Sequence, residues 1–480
     1  MMQQRNLDAP RVLIAADRSS AGKTTIAVGL MSILTKEGQT VQPFKVGSDY
    51  IDPGYHSAVT GRFSRNLDGY LMSKQAIIEV FSHASRGSDM GIVEGVRGLY
   101  EGLESLSDIG STAQVAKILR SPVILVIDAR SITRSTAALV QGYRSFDRRV
   151  DIKGVILNNI GSARHAAKAK EAIEHYTGVD VIGQIPRDDS MHLAMRHLGL
   201  VTASEGLARD PAFRRQLDNI EDIIRAHVDV DKVVQIAKSA GPVPRFTPTV
   251  FTPSNGERTN ETKVRIGVAY DETFNFYYHD LFDLLFLHAV DVVFFSPLRD
   301  SEIPEVHGVY LGGGYPELFA HELERNRSMR DSLASSAQEG IPIFAECGGL
   351  MYLTESLEYE GRTTKMVGII PARTNMIHKR VIGYVAGTTM HDTIIGRKGT
   401  QFRGHEFHYS ELTDLSSKLR FAFKLQKGTG VLDGCDGIQV ENTLASYCHF
   451  HPLSYPGLAA TFVDSCAAFK DQKAHSTRSL

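Results

Sequence analysis

The chain has 480 residues, 42% hydrophobic and 22% charged, a globular composition with apolar material for more than one core. Lysine and arginine total 53 against 55 acidic residues, so the net charge is −2 and the basic excess of a generic nucleic-acid binder is missing. Apolar runs are too short to span a bilayer, and residues 1–10 are polar without a signal-peptide core. The expectation is a cytoplasmic protein with neither nucleic acid nor membrane as a partner.

Residues 11–16 (Arg-Val-Leu-Ile-Ala-Ala) read as a buried strand, followed by a loop over 17–22 and an amphipathic helix over 23–37 that Gly38 closes. Apolar runs at 41–46, 91–93, 122–127, 154–157 and 179–185 are interleaved with helical-period stretches at 74–84, 112–119 and 163–176. Such alternation predicts a parallel sheet with helices on both faces. Between 239 and 263 four prolines with Thr, Ser and Gly predict an extended linker. A strand pattern restarts at 264–270 and continues through 290–295, 308–311, a helix near 329–338, and 342–345. After about residue 383 the pattern turns to shorter β-like pieces, and a weakly ordered tail is expected from Asp471. The predicted organisation is therefore two α/β domains, 11–238 and 264–470, joined by 239–263 and followed by 471–480.

Asp17-Arg18-Ser19-Ser20-Ala21-Gly22-Lys23-Thr24-Thr25 lies between the first strand and the first helix. In that position Gly-Lys-Thr is a phosphate cradle: backbone N–H groups and a helix N-terminus face the anion, and Lys23 adds charge. Thr24 is the expected Mg²⁺ ligand. Asp17 replaces the usual first glycine, so the loop is a variant. Two acidic segments follow at strand ends, residues 44–54 and 93–102. Mg²⁺ takes oxygen ligands beside phosphates, and Asp49 and Glu94 are expected to join Thr24. Lys45 is placed to offset charge on a transferring phosphoryl group.

Cys347 follows a buried strand pattern and precedes Gly348-Gly349-Leu350 and a helical run. A strand-to-helix turn of this kind exposes a nucleophile and sets it at a helix N-terminus that lowers thiol pKa. Upstream, Leu311-Gly312-Gly313-Gly314-Tyr315-Pro316-Glu317 offers N–H groups of Gly313 and Gly314 for an oxyanion hole. Downstream, His449 in Tyr447-Cys448-His449-Phe450-His451 offers a base, with His451 the weaker candidate. Cys435 and Cys448 read as structural, and His405-Glu406-Phe407-His408 lacks zinc-site spacing. A phosphate loop and a thiol site in one chain suggest a coupled reaction: ATP activates a carboxylate as an acyl phosphate, and the thiol site releases ammonia from glutamine to attack it.

Taken together, Ala-Gly-Lys-Thr-Thr, Phe-Lys-Val-Gly-Ser-Asp-Tyr-Ile-Asp-Pro-Gly-Tyr-His, Asn66-Leu67-Asp68-Gly69, Glu94-Gly-Val-Arg-Gly-Leu-Tyr, Leu-Gly-Gly-Gly-Tyr-Pro-Glu, Ala-Glu-Cys-Gly-Gly-Leu-Met-Tyr and Gly404-His-Glu-Phe-His-Tyr-Ser410 resemble the a,c-diamide synthases of tetrapyrrole biosynthesis, from about Val12 to about Phe469. The resemblance implies a P-loop domain similar to dethiobiotin synthetase, then a class I glutamine amidotransferase domain. It implies a carbon–nitrogen ligase using ATP, Mg²⁺, glutamine and a tetrapyrrole macrocycle, with a homodimer compatible. Carried over, Cys347 is the nucleophile and His449 its base. Ser20, Ala21, Gly22, Lys23, Thr24 and Thr25 cradle ATP, and Asn158 reads adenine. Asp49 and Glu94 stand on the metal side. Lys45, Tyr50, Asp52 and Glu101 belong to the substrate side. Class I enzymes often carry Glu two residues after the histidine; here that position is His451, which suggests a Cys–His dyad. Asp17-Arg-Ser-Ser and the full stretch from Glu94 to Ala116, with Arg97, resemble the branch acting on Ni-sirohydrochlorin in coenzyme F430 assembly; the alternative is the branch acting on cobyrinic acid in cobamide assembly, which typically carries Met where Arg97 stands and Asp where Glu101 stands. Two further readings compete. A partitioning-type ATPase would lack the thiol domain, and a glutamine-dependent ligase for another acceptor would lack the Tyr-Ile-Asp-Pro and Gly-His-Glu-Phe-His-Tyr-Ser segments.

Overall fold

The computed structural model describes residues 9–191, 211–252 and 263–478. Parts of the expected first domain (192–210), of the expected linker (253–262) and of the expected tail (479–480) lie outside the described residues, as do residues 1–8. The chain divides into two compact units, the first ending at Val250 and the second taking up at Phe251.

The first unit holds strands β1 (Arg11–Ala16), β2 (Val41–Val46), β3 (Arg65–Leu67), β4 (Met90–Glu94), β5 (Val123–Asp128), β6 (Ile152–Ile160) and β7 (Asp180–Pro186). Its helices are α1 (Lys23–Lys36), α2 (Ile51–Thr60), α3 (Lys74–Ala84), α4 (Thr112–Leu119), α5 (Ser135–Phe146), α6 (Ala163–Thr177), α7 (Pro211–His227) and α8 (Val230–Lys238). The strands form one sheet in the order β3-β2-β4-β1-β5-β6-β7, parallel throughout. Every residue of β1, β2, β4 and β5 is buried, as expected of strands covered by helices on both faces. The winding reverses direction beside β1, and in such sheets ligands collect at the strand C-termini next to that point. The loops after β1, β2 and β4 all open there.

The second unit holds β8 (Arg265–Ala269), β9 (Phe274–Phe276), β10 (Asp291–Phe295), β11 (Gly308–Leu311), β12 (Gly313–Gly314), β13 (Ile343–Glu346), β14 (Thr354–Tyr359), β15 (Arg362–Lys365), β16 (Ile370–Thr389), β17 (Gln401–Thr413), β18 (Arg420–Lys427), β19 (Cys435–Val440) and β20 (Thr443–Ser446). Helices α9 (His279–Leu287), α10 (Ala320–Arg325), α11 (Arg327–Gln338), α12 (Gly348–Leu353) and α13 (Leu458–Arg478) pack around them. The run β10-β8-β11-β13-β20 is parallel, and the sheet continues antiparallel through β19, β18 and β16. Alternate residues serve opposite faces: Leu311, Ile343 and Ala345 enter one apolar core, Tyr310 and Phe344 the other.

Three expectations are corrected. The region after residue 383 is not made of short pieces, because β16 runs for 20 residues and pairs with the 13-residue β17 over most of its length. The expected weak tail continues α13 to Arg478. The start of the expected linker is a strap on the first unit: the buried Glu79 carboxylate of α3 accepts the Thr249 and Val250 N–H groups, and Gln75 donates to the Thr247 carbonyl at 2.6 Å.

Candidate active site

The first unit carries a cavity of about 370 Å³ lined by Ser20, Gly22, Lys23, Thr24, Thr25 and Asn158 from the predicted set, with Arg130, Asn159 and the segment 186–191 completing the wall. A volume of this size suits a nucleotide. Ser20 and Gly22 take positive φ values of 61° and 94°, which turn the chain from β1 into α1. A Cβ on Gly22 would lie 2.3 Å from Asn158 Nδ2, so glycine is required where loop and Asn158 meet. Asn158 Nδ2 donates to the Ala21 carbonyl at 2.9 Å, which ties the end of β6 to the loop. Lys23 Nζ donates to the Arg97 carbonyl at 2.5 Å, and burial together with Lys45 lowers its pKa.

Beside the loop lies a buried ionic cluster. Lys45 Nζ is 2.5 Å from Asp52 and 2.8 Å from Glu94, whose other oxygen is 2.6 Å from His56 Nε2. Thr24 Oγ1 donates to Glu94 at 2.7 Å and to Asp52 at 3.4 Å. Burial alone would depress the Lys45 pKa, but Asp52 and Glu94 reverse that and raise it. Burial would likewise raise Glu94, yet Lys45 and His56 hold its carboxyl below the ordinary range. The acids bonded to Thr24 are thus Glu94 and Asp52. Asp49 instead accepts the Ile51 N–H at 2.7 Å at the start of α2, and burial with Asp52 nearby pushes it up to about 7. Among the described residues no group of three His, Cys, Asp or Glu side chains gathers to hold a metal by itself. A hydroxyl and carboxylate oxygens beside a phosphate loop do fit Mg²⁺, which takes few protein ligands when phosphates supply the rest. Tyr50 is half-buried at the entry to α2, and the exposed Glu101 accepts the Gly98 N–H at 3.2 Å.

In the second unit β13 ends at Glu346 and Cys347 turns the chain into α12 with φ 45° and ψ −99°. A positive φ on a non-glycine residue at such a turn is stored strain of the kind found at reactive positions. Cys347 is 4% exposed, and its Sγ donates to the Phe407 carbonyl at 3.6 Å. The expectation of a lowered thiol pKa is corrected here. Burial pushes the thiol up, Glu317 adds to this, and the Gly348 N–H only partly opposes it. The thiol is therefore protonated until a base takes its proton.

Gly313 and Gly314 form β12, paired with β9, and pack against the start of α12: a Cβ on Gly348 would lie 2.9 Å from the Gly314 nitrogen. A Cβ on Gly313 would lie 2.4 Å from His449 Cε1, so the glycine loop and His449 are in contact. His449 is fully buried and exchanges both backbone hydrogen bonds with His405, their rings stacked at 4.9 Å. Burial, then His405 and His408, hold the His449 pKa far below its ordinary value, so the imidazole rests neutral, and its protonation needs a group that favours the charged form. His451 lies elsewhere, its Nε2 3.3 Å from Asp280 Oδ2. His408 stacks on Tyr447 and pairs with the Ser410 carbonyl.

Sequence reasoning assigned no role to His56 or Glu346. Each sat inside a motif, and the signal was charge in a setting that should be apolar: Glu346 ends a fully buried strand, and His56 lies buried on α2, to which the sequence pattern assigned no element.

Two family models match. Residues 12–201 match the CobQ/CobB/MinD/ParA nucleotide binding domain, and residues 265–456 match the CobB/CobQ-like glutamine amidotransferase domain. Together with the two units, these define a glutamine-dependent amidotransferase ligase that uses ATP. The chain is 53% identical to the cobyrinate a,c-diamide synthases of Methanosarcina acetivorans and Methanosarcina barkeri, over 97% of each chain. It is 45% identical to that of Archaeoglobus fulgidus over 95% of this chain and 97% of the other. The chain belongs to the a,c-diamide synthase family. A solved glutamine amidotransferase overlays 42% of this chain and 98% of its own at TM-score 0.33 and 16% identity.

Proposed function

We propose that this chain amidates the a and c acetate side chains of a tetrapyrrole, with nitrogen from glutamine and energy from ATP, and that cobyrinate is the acceptor. The observation that carries the reading is the presence in one chain of a phosphate loop beside a buried Lys–carboxylate cluster and of a strained Cys347 turn whose neighbouring glycine loop touches a neutral, buried His449. The cobyrinate acceptor is taken from the relatives' names.

In the second unit His449 Nε2 takes the Cys347 proton as sulfur attacks the glutamine amide carbon. The carbonyl oxygen gains the negative charge, and the N–H groups of Gly313 and Gly314 stabilise it. As the tetrahedral adduct collapses, the C–N bond breaks, His449 returns the proton to nitrogen, and ammonia leaves a glutamyl thioester. Water then hydrolyses the thioester to glutamate. In the first unit a side-chain carboxylate oxygen attacks the γ-phosphorus of ATP, and the bond to the β-phosphate oxygen breaks to release ADP. Ammonia attacks the resulting acyl phosphate, phosphate departs, and an amide remains. Ser20 to Thr25 hold the triphosphate, Asn158 reads adenine, and Lys45 balances charge near the transferred phosphoryl group. Tyr50, Asp52 and Glu101 serve the macrocycle side. Mg²⁺, held by Thr24 and Glu94 with Asp49 and Asp52 nearby, would neutralise phosphate charge when bound.

A second acceptor, Ni-sirohydrochlorin, is supported by the resemblance of the stretch from Glu94 to Ala116, with Arg97, to that branch of the family. Arg97 stands at φ 49°, and its carbonyl accepts the Lys23 ammonium. Purified protein with ATP, Mg²⁺, glutamine and each macrocycle in turn, read by mass spectrometry, tests the choice. Two successive acid-to-amide changes on cobyrinate support the reading. Diamide formation on the nickel macrocycle alone would replace it with the second.

A further inference from the structure

His449 needs its ring held if Nε2 is to receive a proton from sulfur. This requires the tautomer with hydrogen on Nδ1, and a group on that side to fix it. His451, two residues further on, faces Asp280 and the Tyr278 ring instead. The carboxylate that reaches the Nδ1 edge comes from the strand carrying the thiol. Glu346 Oε2 lies 4.0 Å from His449 Nδ1, with both side chains buried. The same oxygen accepts the Tyr310 hydroxyl at 2.8 Å, and Oε1 accepts the Phe450 N–H at 2.9 Å; burial pushes the Glu346 carboxyl up to about 8, these two donors oppose that rise, and an imidazolium on its other side would favour the ionised form.

We propose that Glu346 is the positioning carboxylate of the thiol site: it holds the Nδ1 edge of His449 and balances the imidazolium that forms when Cys347 gives up its proton. The proposal rests on the Cys347–His449 reading and adds a third member to it. Geometry favours it over a purely structural tie in three ways. First, Glu346 immediately precedes Cys347 and grips the N–H immediately after His449, so one side chain locks nucleophile and base in register. Second, Tyr310 fixes the very oxygen that faces His449, and its own ring is stacked on Phe344 at 5.1 Å. Third, β13 is otherwise apolar and fully buried (Ile-Phe-Ala-Glu), a place where a carboxyl costs stability unless it serves a partner. The 4.0 Å separation is ion-pair range and exceeds a hydrogen bond; such contacts tighten once substrate is bound.

The test is Glu346→Gln in the full chain. A glutamine side chain keeps the shape, can accept the Phe450 N–H through its oxygen, and can donate to the Tyr310 hydroxyl, while removing the ionisable carboxyl that would balance the imidazolium. Glutamate release from glutamine in the presence of ATP gives kcat and KM separately. The expected result is a fall in kcat of at least about thirtyfold with KM for glutamine within about twofold. Glu346→Asp should recover part of the loss, because it restores charge at a shorter reach. A kcat within about threefold of the parent, or equal loss of kcat, glutamine KM and melting temperature, would overturn the proposal. Should Glu346→Gln lose its cooperative melt, Glu346→Asp decides: loss with glutamine but not with ammonium salts supports the proposal, and equal loss with both overturns it. Cys347→Ser, run alongside, checks the underlying reading, since continued glutamine hydrolysis there removes the thiol assignment itself.

Discussion

Glu94 is the residue on which the nucleotide site turns. It is 0% exposed and touches Lys45, His56 and Thr24 at once. Removing one partner of such a cluster leaves buried charge uncompensated, which typically costs about 3 kcal/mol or more. Glu94→Gln should therefore lower stability by about that amount at neutral pH and abolish glutamine-dependent ATP turnover. The pH dependence carries a sign. Burial would raise the Glu94 carboxyl, but Lys45 and His56 depress it below its unperturbed 4.5. Its contribution is fully present above pH 4.5 and fades as pH falls through the lower folded value. Melting curves between pH 7 and pH 3 should show a steeper acid decline for the parent than for Glu94→Gln. Parallel declines would remove Glu94 from the account. The motif around Glu94 was legible because acids beside a phosphate loop are chemically expected, whereas its link to His56 needed α2 to be recognised as a helix. Pro53 is compatible with that helix because proline in the first helical turn gives up an N–H that has no intrahelical partner.

At the scale of elements, β11, β12, β13 and α12 form the frame of the thiol site. Gly313 holds the closest approach, with an added Cβ only 2.4 Å from His449 Cε1. Gly313→Ala should push the imidazole aside and cut glutamine hydrolysis by about a hundredfold while the protein still uses ammonium salts. Retained glutamine hydrolysis would show that the loop does not set the position of His449. Strands such as 308–311 were legible to the residue because apolar runs end sharply at glycine. The hairpin of β16 and β17 was not, because Pro371, Gly383 and Gly387 break the apolar alternation that marks a strand, and pairing along its length restores what local propensity lacks. The strap at 239–250 was read as linker from its prolines. What fixes it is a distant side chain, Glu79, which composition along the strap cannot show.

Across the whole molecule, two units each build a parallel sheet and place chemistry where strands meet helices. In the first that position carries the glycine–lysine–threonine loop and its cavity, and in the second it strains a cysteine. The α/β class of both units and the pairing of loop with thiol were readable in sequence, since strand–helix alternation and motif order survive any error in element boundaries. The charge relations were not: which acids meet Lys45, and which carboxylate meets His449, depend on contacts between segments far apart in the chain. In the proposed reaction, nitrogen released at Cys347 reaches a carboxylate activated by ATP. The direct measurement supplies amide-¹⁵N glutamine, ATP and Mg²⁺ with cobyrinate, and follows product mass for the parent and for Cys347→Ser. Two ¹⁵N atoms per product are expected with the parent, and product from Cys347→Ser only when ammonium is added. Amide product that carries no label from glutamine, or a Cys347→Ser protein that still incorporates it, would rule out the coupled reaction.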